Sequence, residues 1–386
     1  MTTAAGKHRS RTGTLGRKVA AFVTAVAAAV GIATVATSSA SADDRANLGP
    51  RCSWSDDNYF IQNCWFWSNA MGQDIQVQIK RSNSDAAIYM LDGLRARQDW
   101  NGWTWQGDIG SVFTNDDVNV VMPVGGPSQF YTDWVGQYHG SQGPFNPRWE
   151  TFLTSELPAQ LQSGFGISPS NNAIVGLSMG GTGALNLAAN HRNQFKQVTS
   201  LSGYLNTTAP GMYLALQYAM GEGNPGANIW DMWGLPLDPA RFRNDPLLNV
   251  PKLNGLPVWL SAGSGIMGPG DDFFADPMGG MAGFGLEVMA RTQTAPFELA
   301  ARAAGANVQV SYPLQGIHNW TLWNPELQKA RPAILDALNV RYRAEGDTLN
   351  RNAPNNDATG IGSLGSSAGS VEGSSTTLPF DLPQLS

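Results

Sequence analysis

Residues 173–190 constrain this chain more than any other stretch. A five-residue apolar run, AIVGL, leads into Ser178, which stands between Gly176 and Gly180, and a helical pattern, MGGTGALNLAANH, begins at the next residue. A strand that passes straight into a helix around a serine has no room for a Cβ beside the turn, and the turn lifts the hydroxyl above the end of the strand. Ser178 is therefore a candidate nucleophile. The G-x-S-x-G pattern alone could not say so in a chain with 44 glycines. A second match, at 365–369, lies in a Gly/Ser-rich stretch with neither strand nor helix to hold a side chain in place.

The surroundings extend the pattern. Strand-like runs at 74–81, 87–91, 118–123, 173–177, 197–202, 257–262 and 308–313 alternate with helical patterns at 149–162, 179–190, 286–304 and 325–343. Such alternation implies an α/β architecture, a mostly parallel central sheet with helices on both faces. Chemistry in such sheets sits beyond the carboxyl ends of the strands, which is where Ser178 falls.

The two ends read differently from the middle. Lys7, Arg9, Arg11, Arg17 and Lys18 precede a small apolar stretch, 19–36, and Ala40-Ser41-Ala42 offers a cleavage site, so 1–42 reads as a signal peptide and 43–343 as the mature domain. Losing five basic residues takes the formal charge from −6 to about −11, which argues against nucleic acid or an anionic membrane surface as partner. Export places the only two cysteines, Cys52 and Cys64, in an oxidising compartment where pairing is the default. Their spacing is not C-x-x-C and no histidine is near, so no metal or cofactor is expected. From about 344 to 386 apolar periodicity stops and Asn, Gly, Ser and Thr dominate, which reads as a disordered tail or spacer.

A serine hydroxyl needs a base to take its proton and a carboxylate to orient that base. Of four histidines, His8 leaves with the signal peptide, His191 ends the helix that begins at the elbow and reads as a favourable C-terminal charge, and His139 precedes the elbow. His318 follows a strand, in VQVSYPLQGIHNW, and fits the order serine, acid, histidine. Nine carboxylates lie between Ser178 and His318. Strand order favours Asp271 or Asp272, in the loop after the penultimate strand; Glu287, read as lying at a helix start, is the competitor.

Five segments in order, YMLDGLRARQDWNGW (89–103), RWETFLTSELPAQL (148–161), GLSMGGTGAL (176–185), ARFRNDPLLNVPKL (240–253) and YPLQGIHNW (312–320), resemble the secreted mycolyltransferases of the antigen 85 type. The resemblance implies an α/β-hydrolase fold and transfer of a mycolyl chain between trehalose glycolipids, or onto cell-wall arabinogalactan, through an acyl-serine. Its acid is a glutamate ten residues before a phenylalanine, as Glu287 stands before Phe297, which moves the choice of acid to Glu287 with Asp271 as runner-up. It also implies an oxyanion hole from the N–H groups of Met179 and Leu94, and a sugar site of Asp92, Arg95 and Trp320, with Asn101 as a weaker candidate. An Asp and an Arg suit sugar hydroxyls and an indole face suits a pyranose ring. The chain departs from the family at Gly180 (alanine in several members), Ala262 (often cysteine), Asn319 (usually serine) and an insertion, IMGPGDDFFADPMGG, at 266–280. The alternatives are a carboxylesterase on the same fold and a non-catalytic carbohydrate-binding module or adhesin. The sugar-site residues weigh against the first, and an intact Ser178, Glu287 and His318 against the second.

Overall fold

A computed structural model describes residues 47–56, 59–140 and 143–340. The expected signal peptide and the expected tail lie outside them. Among the described residues nine strands form one sheet: β1 (Cys52–Trp54), β2 (Ile61–Ser68), β3 (Gln73–Lys80), β4 (Ala87–Leu91), β5 (Asn119–Pro123), β6 (Asn172–Leu177), β7 (Phe195–Leu201), β8 (Pro257–Ser261) and β9 (Asn307–Ser311). Their spatial order is β1-β2-β3-β5-β4-β6-β7-β8-β9. Pairs from β5 onward are parallel, while β1, β2 and β3 add an antiparallel edge. The α/β expectation holds, and the burial explains the sequence: every residue of β4, β5 and β6 is buried, as a strand covered on both faces requires.

Two apolar layers cover the sheet. One contains α3 (Leu157–Phe165), α4 (Met179–Asn190), α5 (Met212–Gly223) and α6 (Pro277–Ala303); the other contains α1 (Gly102–Trp105), α2 (Ile109–Val112) and α7 (Trp320–Ala337). Switching strand order at β4 and β6 opens a crevice at their carboxyl ends, with Leu91 opposite Gly176. The loop after β4 and the elbow after β6 are therefore neighbours.

The structure corrects two helix starts and adds one hairpin. Helix α6 begins at Pro277 instead of 286, because Asp276 caps it by accepting from Gly279 N at 2.9 Å and proline fits its first turn. Glu287 consequently sits inside a helix and not at its start. Helix α7 begins at Trp320 instead of 325, capped by Asn319, whose side chain accepts from Thr321 N at 3.1 Å. The hairpin β1–β2 was not anticipated: its buried face carries Gln62 and Ser68 while Trp65 and Trp67 face out, so hydropathy does not follow the pleat. The Cys52–Cys64 disulfide crosslinks this hairpin at a directly paired position.

Candidate active site

Ser178 adopts φ 52°, ψ −121°, a left-handed conformation that costs a non-glycine residue strain and survives where surrounding structure enforces it. Its N–H donates to Leu201 O at 2.8 Å, pinning the elbow to the neighbouring strand. A Cβ on Gly176 would lie 2.0 Å from Gly180 O, and one on Gly180 would lie 2.5 Å from the carbonyl oxygens of Leu91 and Asp92. The glycines are thus required by backbone contact. Ser178 occupies the N-cap position of α4 without a capping side-chain bond, so the adjacent Met179 N–H is a helix N-terminal donor with no acceptor inside the helix.

Residues far apart in sequence meet at this hydroxyl. His318 Nε2 lies 2.8 Å from Ser178 Oγ, and His318 Nδ1 lies 2.8 Å from Glu287 Oε2. With Nδ1 donating to the carboxylate, Nε2 is left as the acceptor for the serine proton. Glu287 is fully buried, yet each oxygen has a partner: Oε1 accepts from Ser202 Oγ at 2.8 Å and from Gly263 N at 2.6 Å. Trp323 Nε1 donates to Ser202 Oγ at 3.0 Å, and His318 N donates to Gly283 O at 3.1 Å. The imidazole is held between Tyr204, stacked at 6.0 Å and 15°, and Trp323, edge-on at 5.1 Å and 85°. Burial and the nearby Glu287 charge push the Tyr204 phenol well above its ordinary range, against the pull of Ser178. Ser202, Tyr204 and Trp323 were not picked out from the sequence, and nothing local in SLSGYLN or TLWNPE marks them.

The other sequence candidates have different partners. Asp271 Oδ1 accepts from Asn319 Nδ2 and Thr321 Oγ1, both at 2.7 Å. Burial would raise its pKa, but those bonds and one from Gly268 N hold it below the usual carboxylate range. Asp272 is exposed and accepts from Phe274 N at 2.9 Å. His191, expected at the helix end, is the C-cap of α4, and its ring contacts Glu150 Oε1 at 2.6 Å within a cluster that includes Arg243. His139 is exposed in a loop.

Beyond β4, Asp92 is buried, with Oδ1 accepting from Gly93 N at 2.7 Å and Oδ2 from Gly102 N at 2.8 Å. Burial raises its pKa against the pull of those two bonds, which leave each oxygen a further lone pair. A Cβ on Gly102 would meet Asp92 Oδ1 at 2.8 Å and the Trp320 ring at 2.9 Å, so Gly102 is where the two converge. Trp320 is partly exposed and packs edge-on against Trp103 at 5.1 Å; Arg95 is exposed. Gly93 brings this loop to the elbow, its Cβ position being 3.8 Å from Ser178 Cβ, and Leu94 O accepts from Ser128 N at 3.0 Å. Asn101 is a correction: it is 1% exposed, its Oδ1 caps α1 through Trp103 N at 2.9 Å, and its Nδ2 donates to Pro123 O at 2.7 Å. Buried, and with both ends of its amide serving the backbone, it presents nothing to a sugar.

The family model described as a putative esterase matches residues 68–334. The diacylglycerol acyltransferase/mycolyltransferase Ag85C of Mycobacterium leprae is 36% identical over 276 residues, covering 70% of this chain and 80% of that protein. Ag85A of Mycobacterium tuberculosis is 39% identical over 277 residues, covering 70% and 79%. The chain belongs to the antigen 85 family. The crystal structure of Mycobacterium tuberculosis MPT51 (FbpC1) superimposes with a TM-score of 0.63 at 29% identity, covering 72% of this chain and 98% of that one. An S-formylglutathione hydrolase from Agrobacterium tumefaciens, at 15% identity and a TM-score of 0.53, shares the fold. As an antigen 85 protein with this fold, the chain is an acyltransferase. Asp271, in the 266–280 segment, and Asn319, beside the histidine, are physically joined by their hydrogen bond.

Proposed function

We propose that this protein is a mycolyltransferase that moves a mycolyl chain between trehalose glycolipids, from trehalose monomycolate to dimycolate, or onto arabinogalactan, through an acyl-Ser178 intermediate. The observation that carries the reading is the continuous hydrogen-bonded chain Glu287–His318–Ser178 at a strained strand-to-helix elbow. His318 Nε2 takes the Ser178 proton as Oγ attacks the ester carbonyl. Glu287 stabilises the resulting imidazolium, and the N–H groups of Met179 and Leu94 receive the negative oxygen, favoured by the start of α4. His318 then returns the proton to the leaving sugar oxygen, giving the acyl-serine and a free sugar. In the second half, a sugar hydroxyl loses its proton to His318, attacks the acyl carbonyl, and Ser178 Oγ leaves with that proton.

Whether water or sugar ends the cycle is a kinetic contest. Water is present at about 55 M, whereas well-held groups reach effective molarities of roughly 10⁵ M or more. Asp92, Arg95 and Trp320 beside the elbow are the residues to hold that sugar. The Cys52–Cys64 disulfide accords with work outside the cytoplasm, at the cell envelope after removal of residues 1–42. Incubating the mature protein with trehalose monomycolate and separating dimycolate from free acid tests the reading. Dimycolate that disappears in Ser178→Ala is the expected result; free acid alone would make the protein a carboxylesterase.

A further inference from the structure

One strip of tryptophans has no part in the chemistry above. Strand β2 alternates so that Cys64 and Phe66 enter the core beneath α3, while Trp65 and Trp67 stand on the opposite face, 44% and 46% exposed. They pair with Gln76 and Asp74 of β3. Val77 pairs with Pro123, the last residue of β5, so residues 73–76 extend past the carboxyl end of the parallel strands. The two indoles therefore stand at the same end of the sheet as Ser178 and Asp92.

The strip continues through the loop that leads to Asp92. Gln76 Nε2 donates to Asp99 O at 3.3 Å, which seats that loop beside Trp65's cross-strand partner. The adjacent Trp100 packs against Trp105 with ring centroids 4.9 Å apart and carries the Arg97 guanidinium 4.7 Å above it. Trp105 is 71% exposed. Gly102, in the same turn, is held by Asp92 and abuts Trp320.

The composition of this face selects its partner. Aromatic faces pack on the C–H faces of sugar rings, while amides, carboxylates and a guanidinium serve the hydroxyls between them. Here indoles are interleaved with the exposed charged groups of Asp74, Asp99 and Arg97, and among the described residues no exposed large aliphatic side chain intervenes. A lipid surface asks for the reverse, which this molecule shows elsewhere, at Phe274, Met278, Met281 and Phe284 around the start of α6. We propose that Trp65, Trp67, Trp100 and Trp105 form a carbohydrate-binding strip that holds a neutral glycan chain along the sheet edge and directs it to the Asp92–Trp320 end of the site. The directing role rests on the acyl-transfer reading; the binding does not.

The test is affinity electrophoresis of the mature Ser178→Ala protein, which prevents turnover, through gels containing soluble arabinogalactan or dextran. The expected result is retardation by at least one glycan, weakened by about tenfold in apparent Kd in Trp65→Ala/Trp67→Ala and by about threefold or more in Trp105→Ala. Trp65→Tyr/Trp67→Tyr, which keeps an aromatic face, should stay within about threefold. Melting temperatures of the variants verify that they are folded. Retardation unchanged in the alanine variants, none by either glycan, or tryptophan-dependent binding to phosphatidylcholine vesicles in place of glycan would each overturn the proposal. Tryptophan-dependent retardation of Ser178→Ala, together with a wild-type protein that forms no dimycolate, would leave the strip standing and refute the transfer reading.

Discussion

Replacing Glu287 by glutamine removes one charge from a fully buried side chain without opening a cavity, and its effect follows from the donors around it. Glu287 receives Ser202 Oγ and Gly263 N on one oxygen and His318 Nδ1 on the other. A glutamine oxygen can keep the first two, which turns its NH₂ toward Nδ1. The imidazole must then carry its proton on Nε2, facing Ser178, and cannot accept the serine proton. The imidazolium of the transition state also loses its counter-charge: two unit charges about 4 Å apart at an effective dielectric constant of about 20 attract by about 4 kcal/mol, or roughly 10³-fold in rate. Acylation measured as p-nitrophenolate release from p-nitrophenyl butyrate in a single turnover should fall by about that factor, with the melting temperature little changed. Asp271→Asn, whose carboxylate meets Asn319 and Thr321 instead, should stay within about threefold. A folded Glu287→Gln within tenfold of wild type, or an equal loss in Asp271→Asn, would refute the reasoning.

Three further outcomes are expected. Asp92→Ala leaves acylation largely intact but shifts products from trehalose ester toward free acid by about 1 to 3 kcal/mol of partitioning, and the shift shrinks as trehalose is raised; an unchanged ratio places the acceptor elsewhere. Tyr204→Phe keeps the ring stacked on His318 and should stay within about threefold in acylation, whereas Tyr204→Ala should cost about tenfold or more; equal losses mean the stack does not position the base. Glu150 concerns stability: although burial works the other way, hydrogen bonds from His191 and Arg243 hold its pKa down from 4.5 to about 2. Because the folded value lies below the unfolded one, this contribution is complete above pH 4.5 and is lost as pH falls through about 2. By pH 3 about 2 kcal/mol of it is gone, so urea unfolding of Glu150→Gln should show that much less loss between pH 6 and pH 3; identical acid limbs would mean the cluster holds no depressed carboxylate.

Local chemistry made the elbow legible. Strand, Gly176, Ser178, Gly180 and helix are contiguous, and their backbone contacts are made within a few residues or with the neighbouring strand β4. The parallel strands were legible for a similar reason, since burial on both faces writes itself as an unbroken apolar run. The hairpin β1–β2 was not, because its exposed face is aromatic and its buried face carries amide and hydroxyl groups that find partners only in the fold, as Gln62 does at Gly49 N, 2.8 Å away. Which carboxylate faces His318 was decided by tertiary packing. Asp271 has the expected place in strand order, but Asn319 and Thr321 draw it aside, while Glu287 is carried in by a helix that Asp276 starts earlier than periodicity suggested. Ser202, Tyr204 and Trp323 converge on the same histidine and glutamate from strand ends and helices separated by scores of residues. No local pattern encodes such a meeting, because a hydrogen bond across 85 or 121 residues depends on how whole layers stack and not on the residues beside it in the chain.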